Sequence, residues 1–350
     1  MALSRLRAAA AAAAVLLSLT ACSTGPAGSS SEGGTAAASD GAFPVTIKHA
    51  YGETVIDEQP ERVATVSWVN DDVSLALGVV PVGMPKVEWG GNENGSTPWK
   101  DAKLEELGAG AGSEKAPKQY SEADGIAFDD IAATEPDVIL AAYSGLTQED
   151  YDKLSKIAPV VAYPKTAYGT DWQTSTEMIG KALGKGAEAE ELIASTEAMV
   201  DEKAAEYPQL AGKTFIYGNL DPAASDAVNV YTANDNRPKF LSSIGMKQAD
   251  VVTEATGDSE EFFLPWSAEK ANELDSDIFV TWVPSDKTKQ QVLEDPLLGQ
   301  IPAVEKGALV ADSDNTLTLS ISAASPLSLP WALDTFLPML AEGADAVDAS

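Results

Sequence analysis

The side chains in this sequence that could do chemistry are few, and most are aromatic. His49 is the only histidine and Cys22 the only cysteine among 350 residues. A Ser-His-Asp or Cys-His arrangement would have to be built on that one imidazole, and a multi-histidine zinc or manganese site is excluded. No G-x-S-x-G, Walker A or H-E-x-x-H motif occurs, and Gly108-Ala109-Gly110 lacks the third glycine of a dinucleotide loop. Paired carboxylates are everywhere, but among 54 acids they carry little meaning. What remains is Trp68, Trp89, Trp99, Tyr143, Trp266 and Trp282, with one cation, Arg237. A single tryptophan is as well explained by core packing, and a single arginine by a surface ion pair. Together, at predicted strand ends and loops, they outline a wide apolar-walled cleft holding one cation. Residues of this kind point to ligand binding.

The elements that must position these residues read as two similar α/β halves. In the first, Val45 to Ile56 suggests a hairpin, and Val63 to Trp68 a short strand ending on tryptophan. Asp71 and Asp72 open a helix closed by Gly78. The next strand, Val79 to Met84, contains Pro81, which fits an edge position or a strand start. Lys86 to Glu106 reads as a long loop, and its tryptophans argue for function over disorder. Val138 to Ala142 is apolar enough for a strand buried on both faces. Tyr143 and Ser144 follow at its C-terminal end, where open α/β sheets place their ligands.

Gly186 to Tyr207 carries apolar or small residues at helix period, with acids between them and Pro208 as a stop. Such a helix would reach roughly 30 Å and serve as a beam between the halves. Beyond it, Lys213 to Tyr217 and Asn229 to Tyr231 are strands and Leu327 to Leu340 a terminal helix, with frayed acidic residues after it. A repeat supports the two-lobe reading. Asp129 and Asp137 stand eight apart before a buried strand, and Glu269 and Asp277 do the same 140 residues later. The division is therefore 1–21 leader, 22–42 tether, 43–185 first lobe, 186–207 linking helix and 208–345 second lobe. The fold class is α/β, two Rossmann-like lobes joined by one long rigid helix.

Charge and address narrow the function. The formal net charge is -31, from 23 basic and 54 acidic residues, which disfavours nucleic acid and anionic membrane surfaces as partners. Arg5 and Arg7 precede an apolar run from Ala8 to Leu19 that ends in Leu19-Thr20-Ala21-Cys22. That is a signal peptide with a lipobox, too short to span a bilayer. As the only cysteine, Cys22 can form no internal disulfide, so its thiol is free for acylation, by palmitate or a similar chain, which would hold the protein at an extracytoplasmic membrane face. Ser23 to Ala42, rich in Ser, Gly and Ala, is a flexible tether.

Several runs come in a familiar order: the lipobox, Pro60-Glu61-Arg62-Val63, Leu75 to Gly83, Glu135-Pro136-Asp137-Val138-Ile139-Leu140, Asp295-Pro296-Leu297-Leu298 and Ile301-Pro302-Ala303-Val304. With them the mature chain resembles the iron-siderophore-binding lipoproteins of ABC importers, a family of two lobes joined by one rigid helix. The resemblance implies a monomeric, non-enzymatic receptor. Its ligand would be a ferric siderophore, with the iron held by the siderophore and no protein metal site or cofactor. It also implies that Asp129 and Glu269 meet arginines of an ABC permease, although the family ordinarily has glutamate where Asp129 stands. A cobalamin or haem carrier of the same fold is the first alternative, and an extracytoplasmic enzyme the second. With Arg237 the main cation of the cleft and a mature charge of -33 once Arg5 and Arg7 are lost, a neutral or cationic hydroxamate is expected over a tricatecholate trianion.

Overall fold

A computed structural model describes residues 42–223 and 227–349. The leader, Cys22 and the tether up to residue 41 lie outside the described residues. The first lobe begins with a hairpin of β1 (Val45–His49) and β2 (Gly52–Ile56), whose alternating residues Ile47, His49, Thr54 and Ile56 are buried. Then β3 (Val63–Thr65), α1 (Asn70–Ala76), β4 (Gly83–Pro85), α2 (Pro98–Glu106) and β5 (Lys118–Tyr120) run in succession. The lobe is completed by α3 (Phe128–Ala132), β6 (Val138–Ala141), α4 (Gln148–Leu154), β7 (Val160–Ala162) and α5 (Trp172–Ala182). Its sheet is all parallel in the order β5-β4-β3-β6-β7. The order reverses between β3 and β6, so the loops after these two strands diverge to opposite faces and leave a crevice at their C-terminal ends.

Two sequence expectations are corrected in this lobe. Lys86 to Glu106 is not loop throughout, because Thr97 caps α2 and Pro98 supplies a preset first turn. Pro81 lies before β4, which is an interior strand between β5 and β3, so it marks a start and not an edge.

α6 (Gly186–Ala205) is the long helix expected between the halves, ending two residues short of the expected limit. On one side it packs against α5 closely enough that a Cβ at Gly180 would come within 2.3 Å of the Ala189 Cβ. At its other end Val200 enters the core of the second lobe beside Leu333 and Phe336, and Lys203 pairs with Asp334 at 2.8 Å.

The second lobe contains β8 (Thr214–Asn219), β9 (Ala227–Tyr231), α7 (Asn236–Ser243), β10 (Lys247–Gln248), α8 (Asp250–Thr256) and β11 (Phe263–Ser267). It continues through β12 (Ile278–Trp282), α9 (Asp286–Glu294), α10 (Pro302–Glu305), β13 (Leu309–Asp312), α11 (Asn315–Ser322) and α12 (Ser328–Ala349). β10, β8, β12 and β13 are parallel, while β9 and β11 extend the sheet antiparallel from the far end of β8. α12 keeps Pro338 inside it and runs to Ala349, so the expected frayed tail is helix.

The eight-residue repeat has a physical meaning. Asp137, just before β6, accepts backbone N–H bonds from Glu61 and Arg62 at the entry to β3. Asp277, just before β12, accepts from the backbone and hydroxyl of Thr214 at the start of β8. In each lobe the acid ties down the strand that pairs with its own. Arg62 donates to the Glu135 and Thr134 carbonyls, a structural role.

A second connection joins the lobes. On α11, Leu319 belongs to the first lobe's core, whereas Leu317 and Ile321 belong to the second's. Just beyond, the Ser325 hydroxyl donates to Asp72 at 2.6 Å and Trp331 packs on Trp99. Asp72 is itself buried with Asp71 and Lys100, whose Nζ lies 2.8 Å from Asp71 and 3.8 Å from Asp72.

Candidate functional site

The crevices of the two sheets face each other across α11 and enclose a cavity of about 460 Å³. Its first-lobe wall is Trp68 after β3, Trp89 after β4, Tyr143 after β6 and Tyr168 after β7. The opposite wall is Tyr217, Gly218 and Asn219 of β8, Tyr231 ending β9, and Trp282 ending β12, with Phe262 at the rim. Thr318, Leu319 and Ser322 of α11 form the floor. The rings fall into small packed groups. Trp68 and Tyr143 both meet Tyr168, at 6.2 and 5.8 Å between centroids, and Trp89 meets Trp282 edge-on across the cleft at 5.8 Å. Trp68 and Trp89 stay 46% and 41% exposed, much apolar surface for a soluble chain to leave in water unless a ligand covers it.

Backbone strain aims Trp68. Ser67 and Val69 on either side of it have φ of 60° and 73°, and a β-branched residue rarely adopts such a conformation. Two buried groups over-determine the loop. Asn70 donates to the carbonyls of Val66, Trp68 and Tyr143 and accepts from the Tyr143 N–H, tying together the loops that diverge after β3 and β6. The Ser67 N–H donates to Glu122 at 2.9 Å. Burial pushes the Glu122 carboxyl up to about 7, and its Oε1 is buried with no partner.

Arg237 combines the two readings open to it on the sequence, a cleft cation and an ion pair. Its Nε and one terminal nitrogen donate to the two oxygens of Asp235, each at 2.7 Å, and its Cζ lies 3.4 Å over the Tyr231 ring. Burial opposes the guanidinium charge, but Asp235 outweighs it and raises its pKa, so Arg237 remains charged at every accessible pH. Asp235 also caps α7 by accepting from the Arg237 N–H. The cleft thus presents a planar guanidinium whose net charge is already offset.

Of the residues expected at the site, the fold brings Trp68, Trp89, Tyr143, Arg237 and Trp282 to this one cavity. Trp99, Ser144 and Trp266 are not brought there. Trp99 is buried against Trp331 with its indole N–H on Asp72. Ser144 is fully buried and donates to the Ala141 carbonyl. Trp266 donates to the Lys270 carbonyl and packs against the outer core of its lobe. Sequence reasoning missed Tyr168, Tyr217, Tyr231, Phe262, Asp235 and Asn70. Tyr217 ends the strand expected over Lys213 to Tyr217, as Trp68 ends the one expected over Val63 to Trp68, and that parallel was the available signal. Asp129 and Glu269 are both exposed. Glu269 stands in the first turn of a 3₁₀ segment (Ala268–Glu273) kinked at Lys270. Among the described residues no group of three or more His, Cys, Asp or Glu side chains could hold a metal ion. None of their helices is long and apolar enough to cross a membrane.

Comparison with known proteins agrees with this architecture. Residues 63–316 match the family model described as periplasmic binding protein. The crystal structure of PiaA from Streptococcus pneumoniae TIGR4 in complex with ferrichrome is 37% identical. The match covers 86% of this chain and 99% of PiaA, with a TM-score of 0.80. In Bacillus subtilis (strain 168), the protein named "Probable siderophore-binding lipoprotein YfiY" is 25% identical over 65% of this chain and 71% of its own length. YhfQ of the same strain, named as an ABC transporter substrate-binding lipoprotein, is 26% identical, and the chain spans 61% of its length. With the family match covering most of the chain and both sheets opening on one inter-lobe cleft, this chain belongs to the periplasmic binding protein family.

Proposed function

We propose that the protein is a non-enzymatic substrate-binding protein of an ABC importer that captures a ferric siderophore, of hydroxamate type, in the inter-lobe cleft and passes it to a permease. The observation that carries this is the aromatic cavity whose one guanidinium is already paired. A ferric trihydroxamate has no net charge at its core, an apolar periphery of methylene chains and oxygens exposed around the iron. Aromatic faces cover the methylenes, and the remaining Arg237 N–H groups can donate to a hydroxamate oxygen without an unpaired charge being buried. A tricatecholate carries about three negative charges, which would demand several unpaired cations to offset desolvation. The ferrichrome complex of PiaA supports the same class, because ferrichrome is a trihydroxamate.

In this reading Cys22 carries the lipid anchor that places the protein at the extracytoplasmic membrane face, in keeping with the lipoprotein names of its relatives. Asp129 and Glu269, one exposed acid per lobe, are the permease-facing contacts. The test is quenching of tryptophan fluorescence across ferrichrome, ferrioxamine B, a ferric tricatecholate, haem and cobalamin. The two hydroxamates should quench at the lowest concentrations. Tighter binding of haem or cobalamin than of either hydroxamate would overturn the assignment.

A further inference from the structure

A second cavity of about 410 Å³ continues from the main cleft behind Phe262, which lines both. It too lies between the lobes. Residues 164–167 and 169–171 and Thr174 close it from the first lobe, and Asn234, Lys239 and Glu260 from the second. Its lining is more polar than that of the main cleft, and its donors are underused. Lys239 is part-buried, and the one acceptor within reach of its Nζ is the Gly169 carbonyl at 3.0 Å. Among the described residues neither Lys239 nor Lys165 makes an ion pair. Thr170 is 3% exposed, lines the cavity, and its Oγ1 has no hydrogen-bond partner.

The two acids present do not offset this. Asp171 caps α5 by accepting from the Thr174 N–H at 2.7 Å, and Glu260 is exposed at the rim. A part-buried ammonium whose hydrogen-bond acceptor is a neutral carbonyl has incurred desolvation that the protein returns only in part. Burial accordingly pulls the Lys239 pKa down, with Asp171 and Asp235 only partly opposing it.

We infer that this second cavity is a subsite for a carboxylate-bearing arm of the siderophore, which Lys239 and the Thr170 hydroxyl bind while the ferric trihydroxamate core sits among the tryptophans. The inference rests on the reading of the main cleft as a siderophore site. It reconciles a neutral core with an acidic chain, because the anion would be recognised locally, behind Phe262, and not by the long-range field. Phe262 then acts as the partition around which the arm turns.

The experiment uses three ferric complexes with one core: ferrioxamine B with its free ammonium arm, its N-acetyl derivative and its N-succinyl derivative. Titration at about 0.3 M salt screens the chain's overall negative field, leaving contacts at close range to decide the order. The succinyl complex should bind about tenfold more tightly than the acetyl one, the magnitude of one hydrogen bond to a charged group. Lys239→Met should remove that preference while leaving the acetyl complex's affinity within about twofold, and Lys239→Arg should restore part of it. Equal binding of succinyl and acetyl complexes, or a preference that survives Lys239→Met, overturns the subsite and leaves the main cleft's assignment standing. Failure of all three complexes and of ferrichrome to bind overturns both.

Discussion

Replacing Asp235 with asparagine tests the electrostatic argument directly. The amide keeps the shape of the side chain and can still accept the Arg237 N–H that caps α7. The stacking of the guanidinium on Tyr231 does not depend on the carboxylate. What changes is charge, since the cleft goes from a balanced pair to one uncovered cation. For a ferric tricatecholate centred about 8 Å from the guanidinium, three charges attract it by roughly 1.5 kcal/mol at the dielectric of water, and by about 3 kcal/mol at half that value. Asp235→Asn should therefore tighten tricatecholate binding by about ten- to a hundredfold, and the gain should shrink as salt rises from about 0.05 to 0.5 M. Neutral ferrichrome should be nearly indifferent, and cationic ferrioxamine B should weaken by about two- to fivefold on the same reasoning. The assay is fluorescence titration of the three complexes with both proteins at both salt concentrations. An unchanged ratio of tricatecholate to ferrichrome affinity would refute the claim that Asp235 is what turns trianions away.

Three further outcomes are expected. Lys100→Met should destabilise the fold by about 3–5 kcal/mol, because the Lys100 and Asp71 side chains are 7% and 1% exposed and two carboxylates would be left buried without their cation. Burial already pushes Asp72 up to about 6, so the folded variant holds a proton that the unfolded chain has released. Its deficit in urea unfolding should therefore be smaller at pH 5.5 than at pH 8. His49 accepts the Tyr51 N–H and bonds Thr54, and burial lowers its pKa below the unfolded value near 6.5. Stability should be fully present above that pH and fall as pH drops through it, and His49→Gln should flatten this part of the profile in thermal melts. Glu269→Lys should abolish siderophore uptake by cells while leaving ligand affinity unchanged, and Asp129→Lys should do so less severely. Loss of ligand binding in folded Glu269→Lys would count against a permease-facing role.

Much of the fold was legible because its signals are local. The helix period of Gly186 to Ala205 is read over 20 residues, and the buried run at β6 and each block of the Asp137 and Asp277 repeat over a dozen or fewer. Each depends on how a chain segment satisfies its own backbone and one apolar face. The helix of Pro98–Glu106 was missed because Gly90, Gly91 and Gly95 upstream carry strong turn signals, while Thr97 and Pro98 mark its start only at the level of a cap. Trp99 was drawn into the site by the same neighbourhood. Its partner Trp331 is more than two hundred residues away, and no local pattern announces that contact.

By itself the sequence narrowed the chemistry: one histidine, one cysteine, four arginines and seven tryptophans point to an aromatic binding cleft. It also determined that two α/β lobes would be joined by one helix, since periodicity and chain stops are properties of neighbours along the chain. Only the tertiary structure decided which aromatics share a cavity, because strand order, not sequence order, brings the ends of β3, β6, β8 and β12 together. It also decided that Arg237 is paired with Asp235 and that, among the described residues, Lys239 and Lys165 make no ion pair. A charge's meaning depends on what lies within a few ångströms of it, and folding sets those neighbours.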